Sequence, residues 1–236
     1  LSTTHGLLTL GDKGSAFTIT LFMQLRSDNT GAWRNIFHKG HVNDDRTPAS
    51  WMHPKHNSIL FIITSDKQQN EFYSTFYVTT FYWMHYTYRF DGSWLEFYAD
   101  GNYDNGMGIK GTSIMNTGPF YVGGDPWYSN FGGYIDEFHI YQKALDGNEI
   151  AIMAGGGHVK DKTLLAWWDF SSFNDLTGNK HNLKLEGKNK IANYHRPEMS
   201  YRPGIMASYL AVEEGKNPIE SGRYIEAGKM TGKTYA

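Results

Sequence analysis

Residues 133–150, GYIDEFHIYQKALDGNEI, constrain the fold of this chain more than any other stretch. Side chains from Tyr134 to Tyr141 follow the two-residue period of a β-strand. On a regular strand Ile135, Glu137, His139 and Tyr141 share one face, while Tyr134, Asp136, Phe138 and Ile140 share the other. One face is mostly apolar and the other mixed, which is the pattern of a strand with a sheet partner and a core to cover. After the strand, Asp146 can cap a short helix carrying Glu149 and Ile150, because its side-chain oxygen accepts from the free amides of a first turn.

The rest of the 236-residue chain agrees with an all-β reading. Aromatic residues make up 16% and there are 26 glycines; flat rings pack on pleated surfaces and glycine supplies the positive φ of tight turns. Hydrophobic residues at 40% suffice for a packed core, which excludes a chain disordered throughout. The length suits one large β domain, or one domain with an extension.

Several function classes drop out on charge and composition. The formal net charge is -2 and basic residues are scattered, so no phosphate-tracking surface and no nucleic acid partner are expected. There is no cysteine, hence no disulfide framework, thiolate zinc site or cysteine nucleophile. The longest apolar run, Ile59–Ile63, is far short of the ~20 residues a membrane helix requires, so no membrane span is expected. No asparagine heads an Asn-x-Ser/Thr triplet, so N-linked glycan should be absent. The start at Leu1, without methionine or a basic-then-apolar leader, is expected of a trimmed mature protein or an excised fragment.

Strand-like runs recur at 6–10, 16–25, 33–38, 58–64, 71–79, 83–90, 95–99, 120–122 and 134–141. Between them lie DKGS, SDNTG, DG, DGN, DNGMG and GGDP, which are turn chemistries. Asp91-Gly92 and Asp100-Gly101 are hairpin signals, because the turns that match sheet twist need positive φ.

Four of these blocks, taken in order, resemble laminin-G-like, concanavalin A-like domains. AFTITLFMQL (Ala16–Leu25) and NIFHKG (Asn35–Gly40) are similar to two early strands of that family. WMHYTYRFDGSWLEFYADG (Trp83–Gly101) is similar to its central hairpin, and GYIDEFHIYQKALDGNEI to its closing strand and turn. The anchors together cover about residues 6–152. The resemblance implies a two-sheet antiparallel β-sandwich of jelly-roll type with a C-terminal extension. The sandwich is expected over 1–187, and an arm or tail over 188–236, where Lys, Gly, Pro and Glu are enriched.

One segment departs from the family order. LLAWWDFSSFNDLTGNKHNLKLEG (Leu164–Gly187) resembles a stretch that in the family precedes the first strand. It can fold back beside residues 6–25 as a permuted strand, open a second domain that is cut short, or lend its strand to a neighbouring chain. A missing strand leaves unpaired amides and exposed core, so something must fill the groove. Leu164, Trp167, Trp168 and Phe170 are therefore candidate assembly residues, within one chain or between copies.

Catalysis is the first site hypothesis, since many concanavalin A-like sandwiches act on polysaccharides. Laminarinase-type hydrolases set acids at alternate strand positions so that two carboxylates share a face. The matching face here would be Tyr134, Asp136 and Phe138, without the flanking acids, and Glu137 on a regular strand points away from Asp136. No catalytic residue is assigned, although 10 His and 16 Tyr leave the base and acid of a lyase open by inventory.

Ligand binding is the second. Aromatic side chains in loops offer flat faces to sugar rings, and Trp33, Trp51, His53, Trp127 and Tyr128 are the loop candidates. The loop from Gly40 to His56 mixes Asp, Arg, Trp and His as a binding rim would. Metal is the third: the resemblance implies calcium at the sandwich rim, a hard cation that takes six to eight oxygens, with Asp44, Asp45, Asp125 and Asp136 as candidate ligands.

The expectation is a non-catalytic recognition and assembly module, extracellular or on the cell surface, whose partners are protein neighbours, copies of itself or glycans. Two other readings stay open. One is a structural subunit of a homopolymer joined by strand exchange through 164–170 and the tail; the other is a polysaccharide lyase or glycosidase of the same fold.

Overall fold

The computed structural model describes residues 2–3, 10, 15–28, 30–185, 190–193 and 208–212. In chain order the first strands are β1 (Ser2–Thr3), β2 (Phe17–Leu25), β3 (Arg34–Lys39), β4 (Ala49–Met52), β5 (Ile59–Thr64) and β6 (Gln69–Tyr73). Next come β7 (Trp83–Phe90), β8 (Trp94–Ala99), β9 (Asn102–Gly108), β10 (Phe120–Val122), β11 (Ser129–Asn130) and β12 (Gly133–Tyr141). Helix α1 (Gly147–Ala154) follows, then β13 (Leu164–Trp168), β14 (Leu183–Lys184), β15 (Lys190–Asn193) and β16 (Ser208–Val212).

The strands form two eight-stranded sheets. The first runs β14-β1-β10-β3-β4-β5-β6, with β11 beside β3; the second runs β15-β16-β12-β2-β7-β8-β9, with β13 beside β12. Apart from the short parallel pair β11 and β3, neighbours are antiparallel. This is the expected jelly-roll β-sandwich. Alternation makes it: Ile19, Leu21 and Met23 of β2 and Tyr86, Tyr88 and Phe90 of β7 point into one core with Ile59, Phe61 and Ile63 of β5. Phe37 and Phe61 both meet the Tyr88 ring edge-on, at 4.8 and 5.1 Å. The buried Tyr88 hydroxyl accepts from Ser50 Oγ at 3.2 Å, and burial pushes its pKa well above the ordinary tyrosine value.

The hairpin reading holds at Asp100-Gly101, where φ is 47° and 79°, the two left-handed residues of a tight β8–β9 turn. Two strands differ from expectation. β4 lies inside the presumed loop 40–56, and β9 includes the glycines of DNGMG. Among the described residues β9 is paired in the sheet with β8 alone, and its glycines serve the Trp94 indole: a Cβ on Gly108 would meet that ring at 3.1 Å. β6 also stops at Tyr73 rather than near Thr79. Of the expected strand 6–10, residues 6–9 lie outside the described residues.

The faces expected for 134–141 need correction. Ile135, Phe138 and Ile140 all enter the core, so the side that faces inward changes within the strand. The cause is a β-bulge: Glu137 takes φ 49°, and the register against β2 shifts between Asp136 and His139. Asp136, paired with Phe22, and Glu137 thus both turn to the outer face, instead of pointing oppositely. The bulge also divides the far edge of β12. Gly133–Ile135 pairs with β16, and Phe138–Tyr141 pairs with β13.

Within the expected segment 164–187, the described residues 164–185 pair inside this same chain: β13 takes that edge of β12 rather than lying beside β2, and β14 pairs with β1. Two stretches of the expected tail, 190–193 and 208–212, are strands of the second sheet. No helix among the described residues is long and apolar enough to cross a membrane.

Candidate functional site

The outer face of the first sheet gathers aromatic residues from four segments. Directly paired residues share a face, so Tyr121, His38, Ala49 and Ile62 make one row across β10, β3, β4 and β5. Asn35, Trp51, Leu60 and Tyr73 make a second row, across β3 to β6. Ala49, Trp51, Leu60 and Ile62 form a small apolar cluster separate from the main core, with Trp33 and Tyr128 packed over it. Trp51 is the floor, 2% exposed, meeting Tyr128 at 5.6 Å and His38 at 5.3 Å. The Arg46 guanidinium lies over the Trp51 ring at 5.2 Å, tied down by Asn43 O at 2.7 Å and Gln69 Oε1 at 2.9 Å.

Two loops complete the face. Asp125 accepts from the amides of Trp127 and Tyr128 at 2.9 and 2.7 Å, an Asx turn that folds both rings onto the sheet. Its other oxygen meets His38 Nδ1 at 3.1 Å, and His38 Nε2 contacts Asp45 O at 2.7 Å. Trp127 then packs on His38 at 4.9 Å and on Tyr121 at 6.0 Å while remaining 36% exposed. On the other side, His53 stacks on His56 at 3.7 Å and touches Trp33 at 5.1 Å and Tyr73 at 5.8 Å. Desolvation lowers the His53 pKa, with the nearby His56 and Lys55 adding to the effect, which favours the neutral ring.

All five ligand-binding candidates, Trp33, Trp51, His53, Trp127 and Tyr128, fall on this one surface. Trp51 is its buried base rather than an open platform. Nε1 of Trp51 and both amide atoms of Asn35, opposite it in the register, are buried with no hydrogen-bond partner among the described residues. His38, Asn35, Arg46 and Tyr73 were not singled out in the sequence, because their place depends on strand register. The strand alternation of 33–38 was the available signal for His38.

The four candidate calcium ligands do not converge. Asp125 has no side-chain exposure and both its oxygens are occupied. Asp44 is exposed beside Arg46 at 3.6 Å, Asp45 accepts from the His41 amide at 3.2 Å, and Asp136 lies on the other sheet accepting from the Glu137 amide. Of the assembly candidates, Trp168 and Phe170 lie in this chain's core, Trp168 Nε1 donating to His181 O at 3.0 Å. Leu164 packs beside α1, and Trp167 stacks on His139 at 5.2 Å.

No curated protein matches the chain. Among solved structures, a candidate carbohydrate binding protein from Bacteroides ovatus superposes with a TM-score of 0.57 at 15% identity, covering 75% of this chain and 54% of that one. Domain 4 of an extracellular arabinanase from Geobacillus stearothermophilus, in complex with arabinotriose, gives 0.51 at 17% identity over 64% and 69%. The binding domain of Paraclostridial Mosquitocidal Protein 1 gives 0.49 at 15% identity over 65% and 38%. The chain thus spans little more than half, or less, of the Bacteroides and Paraclostridial structures. The profile of the Laminin_G_3 family matches residues 2–151, and the chain belongs to that family, within the concanavalin A-like lectin/glucanases superfamily.

Proposed function

We propose that this protein is a non-catalytic, glycan-binding module, acting outside the cell or at its surface, and that the ligand lies on the Trp33–His53–Trp127–Tyr128 face. One observation carries the reading: side chains from three separated segments, 33, 51–53 and 127–128, meet on a single sheet face. Flat rings take the apolar face of a sugar, and Arg46 adds a donor group for its hydroxyls. The sandwich closed by 164–187 is proposed as the binding unit, with the segment after it as an extension. The Bacteroides and arabinanase structures share the fold and name the ligand class to try first.

Titration calorimetry with arabinotriose, alongside a broad glycan array, tests this. Binding by the native chain that falls roughly tenfold in both Trp127→Ala and Tyr128→Ala is expected, a loss of about 1.4 kcal/mol. An array without hits, or binding indifferent to both substitutions, refutes it.

A further inference from the structure

On the opposite sheet, three side chains aim nitrogen and oxygen atoms at one point. His139 Nε2 and His158 Nδ1 are 3.1 Å apart, and Glu137 Oε2 lies 3.9 Å from the first and 4.0 Å from the second. Among the described residues this is the group of His and acidic side chains with metal-ligand spacing. The circle through three atoms so spaced has a radius of about 2.2 Å, close to the 2.0–2.2 Å at which zinc takes imidazole nitrogen and carboxylate oxygen.

The surroundings orient these donors. His139 Nδ1 is 2.8 Å from Glu137 O; donating there leaves Nε2 with its lone pair toward the centre. Trp167 Nε1 donates to Glu137 Oε2 at 2.8 Å, and the Trp167 ring stacks on His139 at 5.2 Å and on His158 at 4.6 Å. Both features are the outer hydrogen-bonding and packing that hold metal ligands in place. The bulge at Glu137 makes the arrangement available, by turning its carboxylate to the outer face beside His139. Behind the trio is a small cleft lined by Phe22, His85 and Met153. The side chains of Glu137 and His158 are 17% and 20% exposed, so solvent reaches the centre.

We propose that Glu137, His139 and His158 form a binding site for a divalent transition cation, with zinc as the reference ion. Two imidazoles and one carboxylate suit Zn2+, Co2+, Ni2+ and Cu2+, whereas a hard cation such as calcium wants an all-oxygen shell. Three protein ligands leave a coordination position for water or for a ligand's oxygen. The site is on the sheet opposite the aromatic face, so it stands or falls independently of glycan binding.

The test uses the full chain, stripped with a chelator and titrated with Co2+ and then Zn2+. Expected are the visible absorption bands of low-coordinate cobalt, their loss on adding zinc, and zinc binding weakened roughly tenfold or more in His158→Ala and in Glu137→Gln. His158 is partly exposed and Gln keeps the shape of Glu, so both variants retain the fold. A His56→Ala control, altering the stacked histidine pair on the other sheet, leaves zinc affinity unchanged. Absence of the cobalt bands, or equal zinc affinity in native chain and both ligand variants, overturns the proposal.

Discussion

Asp125 and His38 form a fully buried pair, Oδ2 to Nδ1 at 3.1 Å, and the same aspartate holds the Trp127 and Tyr128 amides through Oδ1. One side chain therefore couples the centre of β3 to the loop carrying two ligand-binding candidates. Asp125→Ala strands the His38 nitrogen in a dry site and frees both amides, at about 1–3 kcal/mol of stability. Urea denaturation measures that loss. Asp125→Asn, which keeps an acceptor for the amides, is expected to recover most of it, and equal losses in the two variants contradict this account.

Trp127 and Trp51 allow the proposed ligand contact to be tested apart from structure. Trp127 is 36% exposed, so Trp127→Ala is expected to change stability by under about 1 kcal/mol while weakening glycan binding. Trp51, at 2% exposure, fills the space between sheet and loop, and Trp51→Ala leaves a cavity costing about 3–5 kcal/mol. Paired thermal melts and titrations on the two variants check the contrast; comparable destabilisation would mean that Trp127 is structural too.

The sandwich was legible because alternation and turn chemistry are local. The 16–25, 83–90 and 95–99 runs reappear almost unchanged as β2, β7 and β8. Strand β4 was hidden because ASWM is short and sits among polar loop residues, and only pairing with β3 and β5 makes it a strand. The bulge at Glu137 was equally invisible, since nothing in YIDEFHIY marks which residue goes unpaired. That single insertion moved Phe138 and Ile140 into the core with Ile135 and placed Glu137 beside His158, nineteen residues of chain after His139. The five aromatic candidates were legible as types, but their convergence needed the β3–β4 register and the Asp125 turn.

Lys39 gives a pH signature. Its amine is buried and donates to Gly118 O at 2.8 Å; desolvation lowers its pKa to about 8 against the partial opposition of Asp45. A folded pKa below the unfolded 10.5 means that the unfolded chain holds more protons between those values. Stability thus rises with pH from about 8 to about 10.5, by up to about 3 kcal/mol, and is lost again as pH falls through 8. Lys39→Met removes this component. Melting temperatures from pH 7.5 to 10.5 should therefore climb more steeply, or fall less, in the native chain than in the variant; parallel curves exclude the effect.

The capped helix after β12 supports the last prediction. Asp146 accepts from the Glu149 amide at 2.9 Å, and Glu149 Oε2 accepts from the Asp146 amide at 3.0 Å, a reciprocal pair that satisfies two free donors. Lys143 binds the second Glu149 oxygen at 2.5 Å and Asp161 at 2.6 Å, joining the helix start to the segment before β13. From this start α1 buries Ile150 and Met153 against Tyr141 and Leu145, then ends at Gly155, three residues before His158. Asp146→Ala should cost about 1 kcal/mol by denaturant unfolding, and Asp146→Ser much less, because a serine hydroxyl still accepts from the helix amides. Since the helix anchors the His158 loop, hydrogen exchange at 155–158 should quicken in Asp146→Ala while the amides of β7 keep their protection. Unchanged exchange at 155–158 would show that the loop is held by its contacts with Trp167 instead of by the helix.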